Sequence, residues 1–117
     1  MSAFKTRAGI FKVALLSACL LAAAPVGAQD AKKGEELAQQ QCAACHGKNF
    51  VDGVDPTYPR LAGQYQDYLE KVLRDYKSGA RKNPIMNGIA KPLTRDDIRN
   101  VAAYLSALSG PLSNQTR

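Results

Sequence analysis

The sequence of 117 residues contains no tryptophan, one histidine and three cysteines, and these shortages limit the chemistry it can support. A structural zinc site needs four nitrogen or sulfur ligands. Once the N-terminal segment that contains Cys19 is set aside, only Cys42, Cys45 and His46 remain as such ligands. The chain is therefore one ligand short of a zinc site. The sequence also lacks any long alternation of apolar and polar residues, which disfavours a β-sheet.

The excess of positive charge does not indicate a nucleic-acid-binding protein. The net charge is +6, but three of the sixteen cations lie in residues 1–28, which leaves 13 basic against 10 acidic residues. A nucleic-acid-binding face needs a basic stripe with interleaved aromatic side chains. Charges of both signs are instead mixed along the rest of the chain. We therefore expect no nucleic-acid partner.

Residues 1–28 have the composition of a secretory signal peptide. They contain three cations and no acidic residue, and an apolar run over 13–24 is too short to span a bilayer. Val26-Gly27-Ala28 supplies the small residues that a signal peptidase requires. We expect cleavage after residue 28, a periplasmic product and no stable membrane insertion afterwards. Leu16-Ser17-Ala18-Cys19 resembles a lipobox, so lipid anchoring through Cys19 is a minor alternative.

The remaining residues show three helical patterns. The first predicted helix runs from about Ala31 to Cys45, and the second runs from about Ala62 to Lys77. The third follows Thr94, a predicted N-cap with Asp97 in the capping-box position, and Gly110-Pro111 ends it. These patterns predict an all-α fold.

Two stretches between the helices, residues 47–60 and 79–93, contain proline and glycine and have little periodicity. Loops of this length in a small domain are usually functional or wrapped around a ligand. We expect one domain over residues 29–111 and a flexible tail over 112–117.

Cys42-Ala43-Ala44-Cys45-His46 has the C-x-x-C-H pattern that attaches a c-type haem. Cysteines at this spacing on a helical turn point the same way and can add to the two vinyl groups of one porphyrin. His46 can then supply a nitrogen ligand to the iron. A thioredoxin-like dithiol would lie at a helix N-terminus, whereas this motif lies near the end of a predicted helix, before Gly47. A structural disulfide would leave His46 unexplained.

The second axial ligand cannot be a histidine, because His46 is the only one in the sequence. Met86, the only methionine besides Met1, lies in the second predicted loop beside Pro84 and Gly88. A lysine, a tyrosine or an open position are the alternatives. His/Met ligation favours a relatively high reduction potential. An iron with two protein ligands suits outer-sphere electron transfer better than substrate turnover.

Four stretches resemble class I cytochromes c, and the resemblance extends over residues 30–109. Within that class the chain is most similar to the small bacterial cytochromes of the c-553 and c4 types. The stretches are CAACHG at 42–47, YPRLAGQ at 58–64, YKSGARKNPIM at 76–86 and LTRDDIRNVAAYLSAL at 93–108. The resemblance implies the class I cytochrome c fold, with three main helices and loops wrapped around one haem c that Cys42 and Cys45 attach.

The resemblance also implies roles for residues outside the motif. The carbonyl of Pro59 is expected to orient the ring of His46. Gly34 is expected to let the first and last helices cross closely near Tyr104. The candidate partners of the haem propionates are Tyr58, Arg60, Gln64 and Arg81.

Together these features predict a diffusible periplasmic one-electron carrier rather than an enzyme. It would be a monomer with a His46/Met86 haem that docks transiently on redox partner proteins, with Lys48, Lys82 and Lys91 as candidates for steering. One alternative is a cytochrome subunit of a stable oxidoreductase complex. The other is a haem sensor or peroxidase from which Met86 dissociates. Cytochrome c4 has two such domains, whereas one motif here predicts a monohaem relative.

Overall fold

Five α-helices form the part of the chain that the computed structural model describes, residues 28–113. They are α1 (Ala31–Gln41), α2 (Ala43–His46), α3 (Gln66–Ser78), α4 (Pro84–Ala90) and α5 (Arg95–Ala107). This part of the chain contains no strand, so the all-α prediction is confirmed. None of its helices is long and apolar enough to cross a membrane. Residues 1–27, with Cys19 and almost all of the predicted signal peptide, and residues 114–117 of the predicted tail lie outside the described residues.

The first predicted helix is interrupted at Cys42. Asp30 is the N-cap of α1, and its carboxylate accepts a hydrogen bond from the Lys33 amide. At Cys42 the backbone turns to φ −104°, and α2 follows at once. Gly47, at φ +81°, ends α2, because this left-handed φ is one that glycine adopts without strain. The predicted end near Cys45 is thus one residue early.

α3 begins at Gln66, four residues after the predicted start. Gly63 has φ +79°, which is incompatible with a helix, and its amide donates a hydrogen bond to the Leu105 carbonyl at 2.9 Å. The chain before α3 is therefore tied to α5 instead of continuing the helical turn. At the other end, Gly79 in the left-handed conformation closes α3.

α4 lies inside the second predicted loop, where no helix was expected. Asn83 is its N-cap and accepts from the amides of Ile85 and Met86, and Pro84 occupies the first turn. A helix of seven residues is too short to show apolar periodicity, which explains the wrong prediction. The pair Asn83-Pro84 was the signal for it.

α5 begins as predicted. Thr94 is the N-cap, and both hydrogen bonds of a capping box with Asp97 are present. The helix ends at Ala107, before Gly110-Pro111, and a turn follows in which the Ser113 amide donates to the Gly110 carbonyl at 3.0 Å. Ser113 also lies against Gly63, with its amide nitrogen 2.7 Å from the position that a Cβ at Gly63 would take.

Close contact between α1 and α5 depends on Gly34, as the resemblance implied. A Cβ at Gly34 would lie 2.0 Å from the Asn100 carbonyl oxygen and 3.1 Å from the Tyr104 Cβ. The two helices therefore touch backbone to backbone, with Gly34 filling the crossing point.

Phe50, in the first predicted loop, is fully buried and is among the largest side chains of the core. Its ring packs edge-on against Tyr104, with 6.0 Å between the centroids. The Phe50 carbonyl accepts hydrogen bonds from the amides of Leu61 and Ala62. This loop is therefore anchored on the core, and it brings Pro59 to a fixed position opposite α2.

Candidate cofactor site

A cavity of about 440 Å³ opens between α2, α3, α4 and the loop before α3. Cofactor pockets typically enclose about 300–1,000 Å³. The side chains that line this one are mostly apolar, with polar groups confined to a few positions. The apolar lining consists of Leu61, Leu69, Val72, Leu73, Ile85, Ile89, Val101 and Leu105.

Cys42 and Cys45 both line this cavity and are not joined in a disulfide. Burial raises the pKa of the Cys42 thiol to about 11, and the neighbouring Cys45 adds to that rise. Cys42 is also the N-cap of α2, a position that lowers thiol pKa in longer helices. Burial outweighs that effect here, so Cys42 lacks the low pKa of a thioredoxin-like nucleophile.

His46 is 6% exposed and lines the same cavity. Its Nδ1 lies 2.9 Å from the Pro59 carbonyl oxygen, the pair that the resemblance implied. A carbonyl oxygen only accepts hydrogen bonds, so Nδ1 must carry the proton and donate it. The Tyr58 ring packs edge-on against the imidazole, with 5.9 Å between the centroids. Two contacts therefore orient the ring, and in the neutral imidazole Nε2 is the nitrogen with a free lone pair.

Met86 lines the cavity from α4 and is half-buried against the core. Its amide donates to the Asn83 side chain at 3.0 Å, which fixes the first turn of α4. The thioether of Met86 and the imidazole of His46, 40 residues apart in sequence, thus contribute to one cavity. The sequence expectation of a loop around Met86 is corrected to a capped short helix.

The four predicted propionate partners all line the cavity. Arg81 lies with its guanidinium carbon 5.1 Å from the centre of the Tyr76 ring. Two contacts raise the pKa of Arg81. The larger cause is a hydrogen bond with Tyr68, and the next is the charge interaction with Tyr76. Arg81 is therefore a permanent cation at the cavity edge. The contacts of Arg81 with Tyr68 and Tyr76 were not predicted from the sequence.

These donors fit a covalently attached haem. Two thiols at C-x-x-C spacing, an imidazole held through its Nδ1, a thioether and an apolar wall converge on one cavity of suitable volume. Within residues 28–113 no group of three or more His, Cys, Asp or Glu side chains is arranged to hold a metal ion. The described residues thus favour haem at this motif over a zinc site.

Comparison with known proteins agrees with this geometry. The family model described as cytochrome c matches residues 31–109. Cytochrome c-554(548) of Halomonas halodenitrificans is 40% identical over 83 residues, which are 68% of this chain and 98% of that protein. The "Thiosulfate dehydrogenase electron acceptor" of Stutzerimonas stutzeri is 39% identical over 99 residues, which are 80% of this chain and 46% of that protein. The chain thus spans less than half the length of this second relative.

The same fold is found in a solved structure. Reduced recombinant cytochrome c4 from Pseudomonas stutzeri superposes with a TM-score of 0.63 and 34% identity, covering 72% of this chain and 52% of that one. The described residues therefore have the fold of one half of that protein. The chain belongs to the cytochrome c family, electron-transfer proteins rather than enzymes, and carries a covalently bound haem c at the motif that contains Cys42 and Cys45.

Proposed function

We propose that this protein is a periplasmic monohaem cytochrome c that carries one electron at a time between redox partners, with His46 and Met86 as the axial ligands of the iron. The observation that carries the proposal is the convergence of both side chains on one cavity. When bound, the haem supplies a one-electron ferric/ferrous couple. The rest of the mechanism belongs to the side chains around it.

On one side of the cavity, the hydrogen bond from His46 to Pro59 supports a role for Nε2 as an iron ligand. Metal-ligating histidines usually donate their other N–H to a carbonyl or carboxylate, which fixes the ring and increases its basicity. The Nδ1–O distance of 2.9 Å indicates that the imidazole of His46 is held in one orientation, and its 6% exposure indicates that it is largely shielded from solvent. A rigid ligand keeps the geometry similar in both oxidation states, which favours fast electron transfer.

The thioether of Met86, which lines the same cavity, supports a closed coordination sphere. A neutral thioether stabilises ferrous iron relative to a second imidazole, so the expected reduction potential is relatively high. With His46 and Met86 both holding the iron, neither oxygen nor peroxide would have a place to bind. This favours a carrier over a peroxidase or a gas sensor.

The segment around Met86 is positively charged, which supports transient docking on acidic partners. Residues 76–95 contain no acidic residue, so the mixture of charges predicted for the whole chain does not extend to this segment. Their five cations are Lys77, Arg81, Lys82, Lys91 and Arg95, all exposed. Exposed cations in the segment that carries Met86 would raise association rates with acidic surfaces. A monomer that exchanges partners quickly would use such a surface, with an interface at the small end of the usual range.

The proposed location rests on residues 1–28, whose composition is that of an export signal, and on the cytochrome c family of the chain. Cleavage after Ala28 would leave a single domain over 29–111. Bacterial class I cytochromes c are typically periplasmic.

A second candidate is a cytochrome subunit of a stable oxidoreductase complex. The name of the S. stutzeri relative, "Thiosulfate dehydrogenase electron acceptor", favours this class of partner. The haem chemistry would be the same in both cases. The two differ in whether the protein purifies alone or in a fixed ratio with an enzyme.

Absorption spectra of the purified holoprotein in both oxidation states test the carrier proposal, together with addition of carbon monoxide to the reduced form at neutral pH. A low-spin ferrous spectrum that carbon monoxide leaves unchanged is the expected result. Rapid, tight carbon monoxide binding would refute the closed coordination sphere and favour the sensor or peroxidase alternative.

A further inference from the structure

The helix that carries Met86 has few buried contacts of its own. α4 is seven residues long, and a helix of this length is not stable in isolation. Ala90 is its only fully buried residue. At Gly88 no neighbouring atom lies within 4 Å of the position that a Cβ would take. Met86 itself packs partly against the core, but α4 as a whole is weakly anchored there, so contacts besides core packing must help to hold it in place.

The side-chain amide of Asn87 supplies these contacts. Its Nδ2 donates two hydrogen bonds, to the Tyr76 carbonyl at 2.6 Å and to the Arg81 carbonyl at 2.8 Å. Its Oδ1 accepts from the Asn83 amide at 2.8 Å. Both N–H groups and the oxygen are thus used. One half-buried side chain joins the end of α3, the loop after it and the N-cap of α4.

Asn83 continues the connection to Met86. Its Oδ1 accepts from the Ile85 and Met86 amides, each at 3.0 Å. The backbone nitrogen of Asn83 is itself held by Asn87, so the chain of hydrogen bonds runs from α3 through two asparagines to Met86. The N-cap role of Asn83 could have been read from the pair Asn83-Pro84, whereas the bonds of Asn87 to Tyr76 and Arg81 join positions that only the fold brings together.

We propose that Asn87 is a positioning residue that keeps Met86 over the cavity, and that it sets how often Met86 leaves. This inference rests on the proposed ligation by Met86. Methionine is a flexible side chain with a neutral thioether, so its hold on a position depends on the backbone that carries it. Each lost hydrogen bond weakens that hold, and an open distal position then becomes available to an added ligand.

Imidazole binding to the ferric holoprotein measures the open state, because apparent affinity for the added ligand scales with the open fraction. Asn87→Ala removes all three hydrogen bonds. We expect imidazole to bind this variant about tenfold more tightly than the wild type, with partial loss of the far-red ferric band of methionine–iron ligation. An effect at least as large is expected for Asn87→Asp, because a carboxylate oxygen would replace the donor that faces the Tyr76 and Arg81 carbonyl oxygens.

Asn100→Ala is the matched control. Asn100 is half-buried and its side chain also joins two elements, accepting from the Asp30 amide at 2.9 Å, but it does not line the cavity. This variant is expected to lose stability without a change in imidazole affinity. Unchanged affinity in folded Asn87→Ala, or an equal increase in Asn100→Ala, would overturn the proposal. If Asn87→Ala does not fold, unchanged affinity in Asn87→Asp would overturn it.

Failure of the ligation itself has a different signature. In that case the wild type lacks the far-red band, and Met86→Ala has the same imidazole affinity as the wild type. The carrier proposal would then fail on the ligand, before the role of Asn87 comes into question.

Discussion

At the scale of single residues, two glycines in helices differ in whether a side chain could be added to them. Gly34 lies where α1 meets α5, and a Cβ there would stand 2.0 Å from the Asn100 carbonyl oxygen. Gly88 lies in α4 with open space in the Cβ direction. Backbone atoms cannot move aside as a flexible side chain can, so only the first glycine is required by packing.

We therefore expect Gly34→Ala to lower the free energy of unfolding by about 3 kcal/mol, because the two helices must separate. Gly88→Ala should raise it by about 0.5–1 kcal/mol, since alanine is the better helix former and nothing obstructs it. Denaturant unfolding of the oxidised holoprotein, followed by far-ultraviolet circular dichroism, measures both. Equal effects of the two substitutions would contradict the close crossing at Gly34.

At the scale of elements, the capping box of α5 links stability to pH. The Thr94 hydroxyl donates to the Asp97 carboxylate at 2.7 Å, and the Thr94 amide donates to it at 2.8 Å. These two bonds lower the pKa of Asp97. A depressed carboxyl pKa contributes stability above its unfolded value, about 3.9, and that contribution is lost as the pH falls through the folded pKa.

Thr94→Ala should lower the free energy of unfolding by about 1 kcal/mol at pH 7. The difference from the wild type should shrink below about pH 4, because protonated Asp97 no longer gains from these bonds. Unfolding curves at several pH values measure it. Asp96→Asn is the control in the same turn: its carboxylate is 82% exposed, so a change below about 0.5 kcal/mol is expected. A Thr94→Ala difference that is the same at pH 3 and pH 7 would contradict this account.

Sequence patterns predicted the elements whose signals are local. α5 has both a capping box and a long apolar stripe, and its start was predicted correctly. The start of α3 was wrong because Gly63 takes a positive φ and bonds to Leu105, a contact distant in sequence. α4 was missed because seven residues show no period. Phe50 in the core was missed because loops carry no pattern that distinguishes buried from exposed residues.

The residues of the candidate site likewise differ in whether a local sequence signal reveals them. Cys42, Cys45 and His46 are contiguous, so a motif was sufficient to find them. Met86 followed from the scarcity of histidine and methionine, and its ligation remains a prediction. Asn87 carried no signal, because its three partners come together only when the end of α3 packs beside α4.

At the scale of the whole molecule, charge is distributed unevenly between the segment that carries Met86 and the first helix. The 20 residues from 76 to 95 have five cations and no acidic residue, and they include Met86. By contrast, α1 carries two lysines and two glutamates. An anionic partner should therefore approach preferentially from the side of α4.

Oxidation of the ferrous holoprotein by hexacyanoferrate(III), an anionic oxidant, tests this asymmetry. The rate constant should fall as ionic strength rises, because screening weakens the attraction. Lys82→Glu should slow the reaction about threefold at low ionic strength. Lys32→Glu makes the same charge change at an exposed position of α1 and should slow the reaction clearly less. Equal slowing by both variants would indicate that only net charge matters, and the proposed docking surface would be wrong.

The far-red absorption of the ferric protein shows whether His46 and Met86 together close the coordination sphere of a single haem. The wild type should show the weak far-red band of methionine–iron ligation, and Met86→Ala should lose it and have a lower reduction potential. A far-red band that persists in Met86→Ala, or is missing from the wild type, would contradict ligation by Met86.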